Sequence, residues 1–310
     1  VAIAHHSAAV YDMGAVVVLR GTVLHYDWKN PHVYIVIAAE AENGQTAEWA
    51  IEGESTALMT RSGWTASTLE PGDRVLARAN VNRRPERHEA RLVTLTTDAG
   101  SVLVRKASGP APTVAAEGLA GVWDAIRGYD EFRFVRGALT PRGAAIVGGF
   151  DEGQSPVKDC LAFPVPIATI LPYRTRVQVD DDRILLRSEY FDVERTIYMD
   201  GRGHPENGER TLQGHSVGRW EGGALVVDTS SFSDHPLGNW KGLPSGAQKH
   251  VVERFELTPD RTQLRVSFRV EDPEYLVEPW IGEIVWDHVP DGEILPYHCD
   301  REIARRFAID

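Results

Sequence analysis

The stretch Gln263-Leu264-Arg265-Val266-Ser267-Phe268-Arg269-Val270 decides the fold of the larger part of the chain. Apolar residues occupy every second position, and polar residues occupy the positions between them. This alternation is typical of a strand that buries one face and exposes the other, as strands of antiparallel sheets do. Seven more strand-like stretches surround it, at 173–179, 183–190, 195–199, 216–220, 225–229, 250–257 and 281–289. About eight strands in succession predict an antiparallel up-and-down β-barrel.

The first hundred residues predict a second, smaller barrel. Stretches at 16–28, 32–39 and 46–51 indicate three strands, and Asn43-Gly44 is a strong hairpin signal between the last two. Ser55 to Arg61 has helical character, and strands follow at 74–80 and 90–96. Three strands, a helix and two strands form the order of an OB barrel. We therefore expect an all-β protein with an N-terminal OB-like five-stranded barrel and a C-terminal antiparallel barrel.

A Pro/Ala-rich stretch from Ala107 to Glu117 lacks hydrophobic periodicity and predicts a linker between the two barrels. The predicted domains are therefore 1–106, which includes a His-His tail, and 118–310. The chain has two cysteines, Cys160 and Cys299, both in the second domain. They form a disulfide that stabilises the larger barrel or remain two unrelated buried thiols, and an oxidising compartment favours the disulfide.

The N-terminal region resembles a family of exported bacterial proteins of unknown function, DUF6152. The residues that carry the resemblance are His5-His6-Ser7, Gly21-Thr22-Val23, Trp28-x-Asn30-Pro31-His32, Trp49-Ala50, Gly63-Trp64 and Leu69-x-Pro71-Gly72-Asp73. One departure is Ala8, where the family usually has Phe. The resemblance implies export and a β-rich fold, and it implies no reaction.

The C-terminal region resembles a second group of uncharacterised secreted bacterial proteins. Its signature includes Arg195-x-Ile197-Tyr198-Met199-Asp200-Gly201-Arg202-x-His204-Pro205, Gly214-His215-Ser216-Val217-Gly218-Arg219-Trp220-Glu221-Gly222 and Leu225-Val226-Val227-Asp228-Thr229. Gly121-Val122-Trp123 also resembles the Gly-x-Trp motif at the start of lipocalins and other calycins. These resemblances imply a calycin-like or lipocalin-like barrel.

Composition limits the classes of function. The net charge of −12 disfavours binding to nucleic acid and to anionic membrane surfaces. No apolar run approaches the ~20 residues of a membrane span, and no Gly-rich nucleotide motif is present. Ala2-Ile3-Ala4 has the small-x-small pattern of a signal-peptide cleavage site, so we expect a periplasmic or secreted protein whose signal peptide is removed.

Three histidines in the N-terminal region predict a metal site. His5 and His6 lie in the N-terminal tail, and His32 opens a strand after a turn at the barrel rim. Imidazole nitrogens suit copper and zinc, so we expect one of these ions if the tail folds back to His32. In the alternative, the tail histidines bind nothing and His32 hydrogen-bonds to the backbone of its turn.

A second constellation is predicted in the larger barrel. Strand alternation places Glu253 on an apolar face, and His215 shares a strand face with Arg219. If those faces meet in the lumen, the three side chains suit proton transfer, with Tyr198 as a further catalytic candidate. The alternative is a structural salt bridge between Arg219 and Glu253. Ligand-binding candidates of the same domain are Glu189, His204, Trp220 and His250. His204 lies in the polar 201–209 loop, which either forms a lid over the barrel mouth or is an ordinary surface loop.

The sequence leaves three functions open. The first is an exported protein that binds a small apolar molecule in the lumen and a metal ion at its N-terminus. The second is a hydratase, isomerase or lyase that needs no cofactor and uses His215 and Glu253. The third is an accessory or structural subunit that docks a protein partner through a barrel face.

Overall fold

The computed structural model describes residues 10–40, 46–106, 109, 111–150, 155–240 and 242–306. The first part of the chain contains six strands and a short helix. The strands are β1 (Tyr11–Asp27), β2 (Tyr34–Glu40), β3 (Thr46–Glu52), β4 (Arg74–Asn82), β5 (Glu89–Thr97) and β6 (Val102–Val104), and helix α1 (Thr56–Arg61) lies between β3 and β4. The predicted hairpin turn Asn43-Gly44 lies outside the described residues.

The rest of the chain contains ten strands and four short helices. The strands are β7 (Gly121–Asp124), β8 (Arg133–Val135), β9 (Arg174–Val179), β10 (Arg183–Ser188), β11 (Glu194–Tyr198), β12 (His215–Glu221), β13 (Ala224–Ser230), β14 (His250–Leu257), β15 (Gln263–Glu271) and β16 (Trp280–His288). The helices are α2 (Ile126–Glu131), α3 (Pro141–Gly148), α4 (Ile167–Ile170) and α5 (Arg301–Arg305). No helix within the described ranges has the length and apolar character that crossing a membrane requires.

The chain packs into two compact units. Unit 1 comprises Val1–Ala107, Glu152–Cys160 and Tyr297–Asp310, and unit 2 comprises Ser108–Asp151 and Leu161–Pro296. This grouping is discontinuous in sequence, whereas the prediction was for continuous domains at 1–106 and 118–310. Two later segments of the chain therefore pack with the N-terminal barrel.

Unit 1 has the predicted OB-like barrel. Its strands pair in the order β3-β2-β1-β4-β5, and a parallel pairing of β3 with β5 closes the ring. Strand β6 extends the sheet beside β5. Alternating apolar residues point inward and form a core that includes Ile35, Ile37, Trp64 and Leu92, each fully buried.

The Cys160–Cys299 disulfide is present, as predicted. Its predicted place in the larger barrel is wrong, because both cysteines belong to segments that pack in unit 1. Asn30 also anchors the second of these segments, since its amide donates a hydrogen bond to the carbonyl of Tyr297. Its side-chain oxygen accepts the N–H of Thr56 at 2.9 Å at the start of α1, so Asn30 has a structural role.

Unit 2 is a closed barrel of nine strands. The order around the barrel is β7-β9-β10-β11-β12-β13-β14-β15-β16, and β16 pairs with β7 to close it. The calycin-like prediction is confirmed in outline, with two differences. The short strand β7 adds a ninth strand, and β11 runs parallel to β12 because the long connection 199–214 crosses over between them.

Inward-facing side chains and helix α4 fill the barrel. Phe255 and Trp286 are almost fully buried, and the indole of Trp286 donates a hydrogen bond to the carbonyl of Thr169 in α4 at 3.1 Å. A cavity against α4, lined in part by Ile167 and Ile170, measures about 10 Å³. This is about the space that one water molecule requires.

Candidate active site

The candidate site lies on the outer face of the unit 2 barrel, where β12, β13 and β14 run side by side. On β13 the flanking residues Val227 and Thr229 are fully buried, so the alternation directs Asp228 outward. His215 and His250 stand at the first positions of β12 and β14. Both are diagonal neighbours of Asp228 across the sheet, because Asp228 pairs in register with Val217 and Val252.

A glycine fixes the start of β12. Gly214 has a φ of +71°, and a Cβ atom at this position would lie 2.6 Å from the carbonyl oxygen of Ser230. Only glycine fits such a close approach in this backbone region without strain. The chain can therefore turn tightly from the 199–214 connection into the sheet, and the next residue, His215, is placed on the outer face.

His204 comes from the 199–214 connection and completes the cluster. Its Nε2 donates a hydrogen bond to Asp228 Oδ1 at 2.9 Å, and its Nδ1 lies 3.0 Å from Nδ1 of His215. His250 Nε2 donates to the same Oδ1 of Asp228 at 2.8 Å. These four residues, His204, His215, Asp228 and His250, form what we call the outer histidine cluster.

Aromatic and charged groups border the outer histidine cluster on one side. The ring of Tyr198 stacks on His215 with centroids 5.1 Å apart, and the guanidinium of Arg202 lies 4.1 Å from the centre of the Tyr198 ring. Such stacking fixes the orientation of the His215 ring. The His215 Nε2 has no hydrogen-bond partner among the described residues.

The electrostatics of the cluster favour a charged Asp228 beside a neutral His215. Burial alone would raise the pKa of Asp228, but hydrogen bonds from His204 and His250 outweigh burial and hold it below its usual value. Burial, with repulsion from His204 and Arg202, lowers the pKa of His215 below 6.5. At neutral pH His215 is therefore an uncharged imidazole, able to accept a proton.

The structure brings together four of the residues singled out in the sequence: Tyr198, His204, His215 and His250. It separates them from Glu253, because His215 points out of the barrel and Glu253 points in. The anticipated meeting of His215 and Arg219 with Glu253 does not occur. The sequence does not show which face of each strand points into the barrel, because a one-residue change in register reverses the two faces.

Glu253 instead belongs to a buried polar cluster inside the barrel. Its carboxylate pairs with Arg195 at 2.5 Å and accepts a hydrogen bond from the hydroxyl of Thr169 at 2.9 Å. Arg195 also donates to Ser216 at 2.9 Å and to Thr229 at 2.7 Å. The alternative of a salt bridge between Arg219 and Glu253 is therefore wrong, because the partner of Glu253 is Arg195.

The remaining candidates of the barrel lie elsewhere. Arg219 is exposed and pairs with Glu221 at 2.7 Å on its own strand. Trp220 is half exposed at the end of β12. Glu189 is fully buried, and its carboxylate accepts hydrogen bonds from the backbone N–H groups of Arg174 and Leu295. These contacts give Glu189 a structural role.

Of the metal-site candidates, only His32 can be placed. His5 and His6 lie outside the described residues. His32 Nδ1 lies 3.5 Å from Glu52 Oε1, and Tyr11 donates a hydrogen bond to the other oxygen of that carboxylate at 3.0 Å. Within the described part of the chain, no group of three His, Cys, Asp or Glu side chains is arranged so that it could hold a metal ion.

Asp228 is the member of the cluster that sequence reasoning missed. It lies in Leu225-Val226-Val227-Asp228-Thr229, which was assigned only as a strand. The feature of the sequence that could have singled out Asp228 is that it is the one carboxylate in a strand of mostly apolar residues between two turns. That feature does not show which histidines lie beside it.

Comparison with known proteins adds little about activity. Residues 1–91 match a family of unknown function, DUF6152, which confirms the resemblance of the N-terminal region. A crystal structure of a protein of unknown function from the DUF3598 family of Nostoc punctiforme is 10% identical, with a TM-score of 0.23. The comparison covers 88% of this chain and 95% of that one. No curated protein matches the chain.

Proposed function

We propose that unit 2 is an enzyme that moves a proton to or from a small organic substrate at the outer histidine cluster. His215 is the general base, and His204 and Asp228 position it. The observation that carries the proposal is the continuous chain from Asp228 through His204 to Nδ1 of His215, with links of 2.9 and 3.0 Å. General acid–base catalysis needs a side chain that is held in one tautomer and has a pKa near the working pH.

The tautomers follow from the charge on Asp228. A carboxylate only accepts hydrogen bonds, so His204 carries its proton on Nε2 and presents Nδ1 as an acceptor. His215 then donates from Nδ1, which leaves the lone pair on its Nε2 for a substrate proton. After His215 takes that proton, its Nδ1 proton can pass to His204, and the carboxylate of Asp228 stabilises the resulting imidazolium.

The sequence offered two other locations inside the barrel: a lumen that binds an apolar molecule, and a catalytic site at Glu253. The packing inside the barrel favours neither of them. Small-molecule pockets usually have volumes of roughly 300–1,000 Å³. The cavity beside α4 measures about 10 Å³, and Glu253 is held by Arg195 and Thr169. Binding of an apolar molecule in the lumen would therefore require α4 or the side chains around it to move.

A reaction that reports on a general base tests the proposal. The probe 5-nitrobenzisoxazole loses one carbon-bound proton to a base, its N–O bond breaks, and a coloured cyanophenolate forms. His215→Ala should lower the rate at pH 7 by about a hundredfold or more, the contribution typical of a positioned base. His25→Gln, a change at an exposed histidine of unit 1, is the matched control. Equal rates for His215→Ala and the native protein would contradict the proposal.

A metal site in unit 1 is a second candidate function, and one observation favours it. Histidines that bind metals usually donate their second ring N–H to a carboxylate, a backbone carbonyl or water. His32 Nδ1 lies 3.5 Å from the Glu52 carboxylate, which could take this role. The proposed ion is copper or zinc, bound by His32 with His5 and His6. Metal analysis after dialysis should show a stoichiometric ion that His32→Asn loses and His25→Asn retains. Equal metal content in the two variants would contradict this candidate.

A further inference from the structure

A groove of about 470 Å³ runs over the outer face of the unit 2 barrel, across strands β14, β15, β16 and β8. We call it the outer groove. Its volume is within the range typical of small-molecule sites. Neither the sequence motifs nor the proposed chemistry accounts for it.

The outer groove begins beside the outer histidine cluster. Asp228 pairs in register with Val252, and Val252 lines the groove. The same cross-strand row continues through Arg269 and Ile281 to Val135. Because neighbouring strands lie about 4.8 Å apart, the row extends about 14 Å from Asp228 to Ile281.

Three of the four groove residues in this row are apolar. The fourth, Arg269, lies between Val252 and Ile281 and pairs with Glu271 on its own strand at 2.7 Å. Val135 is 62% exposed and Ile281 is 46% exposed, and both stand beside each other on β8 and β16. Val252 continues the apolar surface towards Asp228. An alkyl or aromatic body that lies along this row would cover these side chains.

The neighbouring row of the groove carries positive charge. Arg254 contacts Glu221 and Glu256 only loosely, at 3.6 and 3.8 Å. Arg133 has no ion pair among the described residues, and it stands beside Glu283. The negative charge of Glu283 is already offset by Arg265, at 3.4 Å. The groove is thus lined by one guanidinium group without an ion pair in the described part of the chain, that of Arg133, and by a second, that of Arg254, whose ion pairs are longer than hydrogen bonds. Both occur in a chain whose net charge is −12.

From these contacts we infer that the substrate of the proposed enzyme is an amphipathic anion bound in the outer groove. Its apolar body lies on Val252, Ile281 and Val135, and its anionic group is attracted by the positive charge of Arg254 and Arg133, which stand at the two ends of the neighbouring row. Guanidinium groups bind carboxylate, sulfate and phosphate by paired hydrogen bonds, so these three groups share the required chemistry. This inference rests on the proposed function only in calling the bound molecule a substrate.

Calorimetric titration with decanoate, below the concentration at which it forms micelles, tests the inference. Decanoate should bind one site, and decan-1-ol should bind at least about tenfold more weakly because it lacks the charge. Decyl sulfate and decyl phosphate, measured in parallel, identify the anionic group that the arginines prefer. Failure of all three anions to bind would overturn the inference.

Variants locate the site. The double change Arg254→Gln with Arg133→Gln should weaken decanoate binding about tenfold or more, and Ile281→Ser should also weaken it. The matched controls are Arg187→Gln, an exposed arginine on β10, and Val179→Ser, an exposed valine on β9, and both should leave binding unchanged. Equal losses in the control and groove variants would place binding elsewhere and overturn the inference.

These binding experiments can fail or succeed independently of the test of the proposed enzyme. Binding in the groove is measured without turnover, so decanoate affinity reports on the groove residues and not on the catalytic role of His215, which does not line the groove. Groove binding without a His215-dependent reaction supports the site and contradicts the enzyme. A His215-dependent reaction without groove binding supports the enzyme and contradicts this substrate class.

Discussion

Acidification should destabilise unit 2 through a single buried histidine, His235. Its side chain is 1% exposed, and both ring nitrogens have partners. Nε2 donates to the carbonyl of Ala162 at 3.0 Å, and Nδ1 accepts the N–H of Leu237 at 3.0 Å. Only the neutral ring fits this arrangement, because protonation of Nδ1 would place two donors face to face. Burial, together with the charge of Lys249, lowers the pKa of His235 to about 4.

The size of this loss of stability follows from the difference between the pKa of His235 in the folded state and its pKa in the unfolded state. In the unfolded chain His235 has an ordinary pKa of 6.5, so as the pH falls the unfolded state binds this proton first. Stability is therefore lost between pH 6.5 and pH 4, by up to about 1.4 kcal/mol per pH unit. The total by pH 4 is about 3 kcal/mol, and stability above pH 6.5 is unaffected by this group.

Urea unfolding of the native protein and of His235→Asn, at several values from pH 7.5 to pH 4, measures the effect. Asparagine can still accept the N–H of Leu237, but it leaves the carbonyl of Ala162 without its donor. The variant should be less stable at pH 7.5 by about 1–3 kcal/mol. That difference should shrink by about 3 kcal/mol on going to pH 4, because only the native protein has the buried imidazole.

Comparing the two proteins cancels the titration of carboxylates that they share. His25→Asn, a change at an exposed histidine, should follow the native protein at every pH. A difference between native protein and His235→Asn that stays constant from pH 7.5 to pH 4 would refute the reasoning. It would mean that the folded state accommodates the charged ring.

Two further predictions concern stability. Glu253→Leu alone should lower the free energy of unfolding by about 3–5 kcal/mol, because it leaves Arg195 buried without its carboxylate. The double variant with Arg195→Met should recover most of this loss in urea unfolding. Equal losses in the single and double variants would contradict the ion-pair account. Replacing Cys160 and Cys299 with Ser removes a cross-link between residues separated by 139 positions, and the chain-entropy model gives a loss of about 5 kcal/mol. An unchanged unfolding midpoint of the serine variant would exclude a stabilising role.

The strands of both barrels could be predicted because their patterns are local. Alternation over Gln263–Val270 predicted both a strand and its buried face, and the strand extends by one residue to Glu271. The order of strands and helix in the first hundred residues fits the OB ring that forms. The larger barrel itself was predicted, but the strand that closes it was not. Closure depends on Gly121–Asp124, four residues whose pairing with β9 and β16 involves positions far away in sequence.

The members of the site were easier to predict than their arrangement. His204 and His215 were both singled out in the sequence, in separate groups, and they lie in contact. The face of each strand depends on register, which the sequence of one strand does not reveal. Glu253 was therefore grouped with His215, and Asp228, the carboxylate that contacts the histidines, was assigned to the strand alone.

The packing of α4 against the interior of the larger barrel also could not be predicted from the sequence. The segment that includes Ile167–Ile170 has no strong helical periodicity, yet it packs against the inward-facing residues of the barrel. A lipocalin-like strand pattern suggests a hollow interior. Whether a barrel is hollow depends on where such a connecting segment packs, and this is a tertiary contact.

The pH dependence of the 5-nitrobenzisoxazole reaction tests the central claim most directly. Burial and the neighbouring charges lower the pKa of His215, so the rate should rise with pH to a plateau, with a midpoint below 6.5. His204→Gln should move the midpoint up towards 6.5, because it removes part of the burial and a neighbouring imidazole that, when protonated, repels a charged His215. His215→Ala should abolish the sigmoidal rise. A profile that is unchanged in both variants would contradict the assignment of the outer histidine cluster as an acid–base centre.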